Sequence, residues 1–364
     1  MVELPVVLVN NNPPHSGVGR YAYSLYRYSR KLGYKIAMIS LESYLFDKNY
    51  NVARKIHLGG LVLYMNYLRI SNIVFNSGKI YHITNNGYLT KLIPKIKQAS
   101  NAKVVVTVFD TIPFYRRELG DILLAIRAFS NIRYADFIII DSKFTEMSLP
   151  SYLSHIPRKV IPLGVDHDLF KPRDKAWARQ ELGLPSTTPI LLNVGTEEPR
   201  KNIPTLLRAF REVVKKMPKA KLIRVGPMER PTARLIKRLG LSDNVLYTRV
   251  DDRKFALLYN AADVYVHTAY LEGFGLPVLE AMASGTPVVA GKAASVPEIA
   301  GDAAILTDPF DVEGIAGEVL RVLTNRGLRE ELSQRGYQRS LRFSWEKTAL
   351  ETIEVYSRLV EHGH

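Results

Sequence analysis

Residues 189–225 read PILLNVGTEEPRKNIPTLLRAFREVVKKMPKAKLIRV. An apolar run at 189–194 reads as a strand and ends at Gly195. A helix follows over 203–216, with apolar residues at Ile203, Leu206, Leu207, Phe210 and Val213. A second apolar run at 220–225 reads as the next strand. Continuous apolar strands joined through amphipathic helices are the signature of a doubly wound parallel sheet. The pattern extends in both directions. Strands are expected at 5–9, 35–40, 79–83, 103–109, 137–141 and 159–162, then again at 245–247, 264–268, 287–290 and 304–306. Helices are expected at 17–32, 231–239, 254–261, 277–283, 296–300, 312–325 and 345–361. Gly164, Asp166 and Pro172 interrupt the periodicity at 163–172. The fold class is therefore α/β, with two Rossmann-like domains over 1–165 and 171–342. Ligands of such sheets bind beyond the carboxyl ends of the strands, in a cleft where helix N-termini point.

The 364 residues are 46% hydrophobic and 23% charged, which are globular values. No run approaches the ~18 apolar residues that a membrane span needs. The first residues lack a basic region ahead of the apolar stretch, which predicts no secretory signal and a cytoplasmic protein. With no cysteine, disulfides, thiolate metal sites and cysteine nucleophiles are excluded. The net charge of +15 is uneven: residues 1–165 hold 21 Lys/Arg against 9 Asp/Glu, and the remainder 29 against 26. Such asymmetry predicts that the first half meets an anionic surface.

The motif with most chemistry is EGFGLPVLEAMA, residues 272–283. Gly273 and Gly275 allow a tight turn and close backbone approach. Pro277 suits the first turn of a helix, and amides near Phe274, Gly275 and Leu276 would face an anion at its N-terminus. Glu280, about one turn in, can accept two hydrogen bonds from a ribose diol. Glu272, in the preceding loop, is expected to be free to reach a sugar. Upstream, Asn202 is placed to cap the helix at Ile203. Arg200 and Lys201 stand together at that helix start, where two cations oppose the dipole unless an anion intervenes. A diphosphate would be that anion.

Together with the segments 161–166 (IPLGVD), 283–289 (ASGTPVV) and 296–304 (VPEIAGDAA), these motifs resemble the retaining glycosyltransferases of family 4. The resemblance runs nearly end to end and is densest over 160–310. It implies a GT-B fold, a C-terminal helix (345–364) completing the first domain, and a nucleotide-diphosphate sugar, UDP- or GDP-linked, as co-substrate. The first domain would bind the acceptor and the second the donor, with no cofactor and no metal. Arg200 and Lys201 would hold the diphosphate, Glu280 the ribose, and Glu272 the hexose. Gly195, Gly273, Phe274, Gly275 and Leu276 would line the donor site, and Val250 the base pocket. The loop HSGVGRY, residues 15–21, resembles the family's N-terminal glycine loop, which brings Gly17 and Gly19 to the donor phosphates.

One departure stands out. Many members carry His-Asp where this chain has Phe109-Asp110, and phenylalanine can neither take a proton nor hydrogen-bond a hydroxyl. Asp110 remains, assigned to donor or acceptor hydroxyls and to catalysis with Glu272, Arg200 and Lys201. His82 ends a strand and is a second candidate to face the cleft. The Asp166-His167-Asp168 triplet spells a metal motif of a different fold but lies in the interdomain join, so a metal site is rejected. Asp251-Asp252 reads as a turn.

Arg116, Arg117, Arg127 and Arg133 flank the apolar residues 122–126 and Phe129. The helix at 17–32 interleaves Tyr21, Tyr23, Tyr26 and Tyr28 with Arg20, Arg27, Arg30 and Lys31. Cations beside aromatic and aliphatic side chains suit an anionic membrane surface. A glycan or lipid-linked acceptor at the inner membrane face is the expectation. The same tyrosines and basic residues also suit nucleic acid, so a glycosyltransferase acting on nucleic acid stays an alternative, although no DNA-reading motif is present. The remaining alternatives are a non-catalytic nucleotide-sugar-binding subunit and a sugar-nucleotide epimerase.

Overall fold

The computed structural model describes residues 2–14, 16–40, 79–115 and 119–361. It divides into two compact units, one running through Leu163 and resuming at Trp345, the other spanning Gly164–Ser344.

The first unit opens with β1 (Val2–Asn10), α1 (Gly17–Lys31), β2 (Tyr34–Ser40) and β3 (Ile80–Ile83). It continues through α2 (Leu92–Ala99), β4 (Lys103–Val108), α3 (Leu119–Ile132), β5 (Phe137–Ile140), α4 (Lys143–Met147) and β6 (Arg158–Val160). The sheet order is β2-β1-β3-β4-β5-β6, every pair parallel. Strands buried on both faces explain the uninterrupted apolar runs: β4 is buried from Val104 to Val108 and β5 from Ile138 to Ile140.

The second unit contains α5 (Lys175–Glu181), β7 (Ile190–Val194), α6 (Ile203–Lys216), β8 (Lys221–Val225), α7 (Arg230–Arg238) and β9 (Val245–Thr248). Then come α8 (Asp252–Ala261), β10 (Val264–His267), α9 (Leu276–Ala283), β11 (Val288–Gly291) and α10 (Val296–Ala300). The unit ends with β12 (Ile305–Thr307), α11 (Val312–Thr324) and α12 (Arg326–Ser340). Its parallel sheet runs β12-β11-β10-β7-β8-β9. Chain order reverses between β7 and β10, the switch point at which doubly wound sheets bind ligands. Helix α6 buries Ile203, Leu206, Leu207, Phe210 and Val213, a stripe at helical spacing against β7, β8 and β10. Each such side chain contributes about 1.5–3 kcal/mol by leaving water.

The last helix, α13 (Trp345–Glu361), returns to the first unit and packs on α1. Thr348 Oγ1 donates to Pro162 O at 2.8 Å, and the Tyr356 hydroxyl lies 2.6 Å from His82 Nδ1.

All twelve strands expected from the periodicity are present, with ends shifted by at most three residues. Helices α2, α3, α4, α5 and α12 are additional to the expected ones. For α12 the reason is physical. It buries only Leu332, Gly336 and Ser340, so it has no apolar stripe to read. It packs through closeness instead: a Cβ on Gly336 would sit 3.5 Å from Met282 Cα in α9.

Candidate functional site

The carboxyl ends of β7 and β10 bring two loops together at the switch point of the second sheet. After β7, Gly195 turns the chain with φ +139°, and a 3₁₀ turn at Pro199–Lys201 leads into α6. After β10, the loop carrying Glu272 leads into α9, whose N-cap Gly275 takes φ +100°. A side chain is strained at that φ, which is why glycine stands there.

Glu272 is 7% exposed and sits between the two cations. Arg200 Nη1 donates to its Oε2 at 2.8 Å, and Lys201 Nζ to its Oε1. His267 Nε2 lies 3.3 Å from the same Oε1. Arg200 Nε also donates to Glu198 Oε2 at 3.0 Å. The side chains of Arg200 and Lys201 are only 18% and 12% exposed, so the cluster is sheltered from solvent screening. Burial alone would raise the Glu272 carboxyl, but Lys201, His267 and Arg200 outweigh it and hold it well below the usual carboxylate range. The His267 imidazole is pushed below its usual value by burial, against the opposing pull of Glu272.

This changes the expectation for Glu272. It is not free in its loop; it is the anion that meets the cation pair at the start of α6. Asn202 also departs from expectation. It occupies the N-cap position in the left-handed region, φ 53°, but its side chain caps nothing. Its Nδ2 donates to Pro309 O at 2.6 Å, tying the helix start to the loop after β12.

On α9, Glu280 is 2% exposed and its Oε2 accepts from the Tyr259 hydroxyl of α8 at 2.7 Å. Gly273 and Phe274 are buried, and Leu276 is partly buried. Ser295 Oγ donates to Glu272 O at 3.1 Å and to Phe274 O at 2.8 Å, fixing the loop backbone. Val250 follows β9 and is partly buried.

Four partners escaped the sequence reading. Arg224 of β8 is fully buried and pairs in register with Asn193 of β7. Its Nη1 donates to Asn193 Oδ1, its Nη2 to Gly195 O at 3.2 Å, and its guanidinium lies 5.5 Å from the Tyr247 ring centroid. The Tyr247 hydroxyl donates to Glu197 Oε1 at 2.6 Å, and burial, with that glutamate, pushes it up to about 12. Arg224 had one readable signal, a charge inside the apolar strand KLIRV. Gly226, with φ +149°, is equally constrained: a Cβ there would lie 2.2 Å from Gly195 O.

In the first unit, Gly17 and Gly19 lie in the first turn of α1 rather than in an open loop. The Gly19 amide donates to Ser16 Oγ at 3.0 Å, and a Cβ on Gly19 would sit 1.8 Å from Pro13 O. His15 of this motif lies outside the described residues, as do Arg116 and Arg117. Asp110 follows β4 and accepts from the Ile112 amide at 3.0 Å through Oδ1. Phe109, standing where many resembling proteins carry histidine, is 7% exposed and packs edge-on against Tyr21 at 5.2 Å.

His82 needs correction as a cleft candidate. It is fully buried, with Nδ1 2.6 Å from the Tyr356 hydroxyl and Nε2 2.7 Å from Thr107 Oγ1. Burial pushes it down to about 3, so it is a neutral core histidine. Arg127 and Arg133 are exposed, beside Leu123 and Ile126, which are 57% and 48% exposed. Asp166 Oδ1 accepts from the amides of Asp168 and Leu169, an Asx turn, and Asp251 caps α8 through the Lys254 amide. Among the described residues no cluster of three His, Cys, Asp or Glu could hold a metal ion.

Residues 174–339, which carry this cluster, match the family model described as Glycosyl transferases group 1. The chain is 36% identical over 212 residues to D-inositol 3-phosphate glycosyltransferase 2 of Catenulispora acidiphila, covering 54% of this chain and 50% of that protein. It is 31% identical over 274 residues to O-antigen chain mannosyltransferase B of Escherichia coli, covering 71% and 61%. The chain thus spans about half to three fifths of the length of these relatives. Its fold matches sucrose-phosphate synthase from Thermosynechococcus elongatus with a TM-score of 0.80 at 21% identity, over 100% of both chains. It also matches Anabaena Alr3699/HepE in complex with UDP-glucose, TM-score 0.74 at 18% identity, over 97% and 99%. The second unit thus carries the match to the Glycosyl transferases group 1 model, and the chain as a whole has the GT-B fold of its structural neighbours.

Proposed function

We propose that this protein is a retaining glycosyltransferase of family 4. It would move a hexose from a UDP- or GDP-linked sugar to a glycan or lipid-linked acceptor, without a metal. The observation that carries the reading is the sheltered Arg200–Lys201–Glu272 cluster at the switch point of the second sheet. Relatives named as glycosyltransferases, and a structural neighbour determined with UDP-glucose, support it.

In this mechanism Arg200 and Lys201 bind the diphosphate and stabilise the charge that develops as the anomeric C–O bond breaks. The acceptor oxygen attacks C1 from the face that the phosphate leaves, and a leaving phosphate oxygen takes the acceptor proton. Configuration is thereby kept. Glu272, held ionised by its neighbours, cannot serve as the acid; it accepts hydrogen bonds from the hexose and keeps the two cations in place. Glu280, oriented by Tyr259, takes the ribose diol. Because the leaving group neutralises the acceptor proton, Phe109 does not remove an obligatory base. Asp110 orients a hydroxyl.

The first unit would receive the acceptor and rest on an anionic membrane. Exposed Leu123 and Ile126 beside exposed Arg127 and Arg133 support this, as does the Arg27, Arg30 and Lys31 stacking over Tyr26 and Tyr28 on α1. No described helix is long and apolar enough to cross a membrane.

The test is incubation of the full chain with radiolabelled UDP- and GDP-sugars and extracted lipids and glycans, with EDTA present. The expected result is transfer with the anomeric configuration retained, reduced ~100-fold or more in kcat/KM by Lys201→Met. Phe109, a packed aromatic where a proton carrier is common, favours one second reading, a binding subunit. Donor binding with neither transfer nor hydrolysis would establish that reading and overturn ours.

A further inference from the structure

At the opposite edge of the second sheet, before β10 and β11, lies a hollow of about 340 Å³. Its wall carries four cations, Arg173, Lys175, Arg326 and Arg329, and one carboxylate, Glu330. Arg326 is paired with Glu330 at 2.7 Å and Lys175 with Asp263 at 2.7 Å. The two remaining arginines have no carboxylate within 4 Å among the described residues. Arg173 donates to Asn260 Oδ1 at 3.2 Å and to Leu169 O at 2.9 Å. Arg329 spends only Nη1, on Val322 O at 3.0 Å and Leu323 O at 2.6 Å. A guanidinium has five N–H donors, so each keeps donors in hand for a ligand.

Four further observations point the same way. Arg326 and Arg329 stand in the first turn of α12, a fifteen-residue helix with no acidic residue in that turn. Two cations at a helix N-terminus are unfavourable unless an anion joins them. Ser284, in the wall of the hollow, is 4% exposed, and its Oγ has no partner among the described residues. A buried hydroxyl without a partner is the kind of group that a ligand oxygen completes. The neighbouring acceptors are already used: Ser284 O takes Asn260 Nδ2 at 3.0 Å and Gly285 O takes Ser333 Oγ at 2.6 Å. The end of α9 therefore presents few bare carbonyls to repel an anion. Burial, and then the charge of Arg253, lower the Arg173 guanidinium from its usual value, a further sign of crowded positive charge.

We propose that this hollow is a second binding site, separate from the one at the switch point, for the phosphate group of a small phosphorylated metabolite. Arg173 and Arg329 hold the phosphate as a forked pair. Ser284 completes its hydrogen bonds and Arg326 adds charge at the mouth. The volume leaves room beyond a phosphate for a body the size of a sugar. Helix α9 spans from the Gly275 turn to Ser284, so one rigid element touches both sites.

The experiment is calorimetric titration of the full chain with two probes, inorganic phosphate and a hexose 6-phosphate, in wild type and variants. Arg329→Gln, which keeps an amide donor for the two carbonyls, and Arg326→Ala, at a side chain 84% exposed, are the variants at the hollow. Arg200→Gln controls for phosphate binding at the switch point. The expected result is saturable binding of one probe or both that survives Arg200→Gln. Arg329→Gln weakens it ~10-fold or more and Arg326→Ala about 3-fold, with melting temperatures unchanged for Arg326→Ala. Binding of both probes with equal affinity identifies free phosphate as the ligand; tighter hexose 6-phosphate identifies a phosphorylated sugar. Absence of saturable binding in wild type, or binding lost with Arg200→Gln and kept in both hollow variants, overturns the proposal.

Discussion

Replacing Glu272 with glutamine keeps the shape of the side chain and removes its charge. The structure sets the size of the effect. Glu272 stands within 2.8 Å of Arg200, contacts Lys201 directly, and lies 3.3 Å from His267. Both cations are more than four-fifths buried. Removing one member of a buried ion pair costs about 3–5 kcal/mol, since the partner charges stay behind uncompensated. The amide oxygen can still accept one hydrogen bond, which favours the lower end, about 3 kcal/mol. For a unit of this size that is a fall in melting temperature of roughly 6–12 °C. The pH dependence follows from the sign of the shift. The folded carboxyl titrates well below the unfolded one, so its stabilisation is complete above the unfolded value. It is lost as pH falls through the folded value. Wild type should therefore lose stability on acidification below about pH 4.5 along a limb that Glu272→Gln lacks. Pyrophosphate should stabilise the variant more than wild type, because it restores an anion to the cation pair. Thermal and urea unfolding between pH 3 and 8, with and without pyrophosphate, measures all three. A variant melting within about 2 °C of wild type, with the same acid limb, would falsify the assignment of Glu272 as the anion that holds this cluster.

Two further outcomes are expected. Gly226→Ala should destabilise the second unit by at least about 2 kcal/mol, because its Cβ would press on Gly195 O at 2.2 Å with φ at +149°; an unchanged urea midpoint would show that the β7–β8 edge yields. His82 should stay neutral by NMR from pH 8 to pH 5. Its folded value, about 3, lies below the unfolded one, so stability should decline with falling pH below ~6.5, at up to about 1.4 kcal/mol per pH unit. His82→Gln should reduce that slope by up to about 1.4 kcal/mol per pH unit, leaving the share of buried His267, and a slope unaltered by the substitution would assign it to another group.

The strands and the residue types of the site were legible in the amino-acid sequence because both are local properties. A strand buried on both faces must be apolar throughout, so β4, β5 and β10 announce themselves without any knowledge of their neighbours. The glycine at 275, the proline at 277 and the acids at 272 and 280 are readable for a similar reason, since each is required by a turn, a helix start or a charge at fixed spacing. Chain neighbours also carried the pair Arg200-Lys201. What local pattern could not carry was pairing. Glu272 is separated from Arg200 by some seventy residues, and they meet only because the sheet order sets β10 beside β7. A carboxylate expected to be free thus became the counter-ion of the cations. Arg224 finds Asn193 through strand register, and His82 is sealed into the core by a helix from the far end of the chain. Helix α12, with hardly an apolar residue on its buried face, exists through close approach to α9 that its own sequence does not display. The elements and the chemistry available to them were thus set by residue type and spacing, whereas the state of each group was decided by burial and long-range contact, which arise only when the sheet assembles.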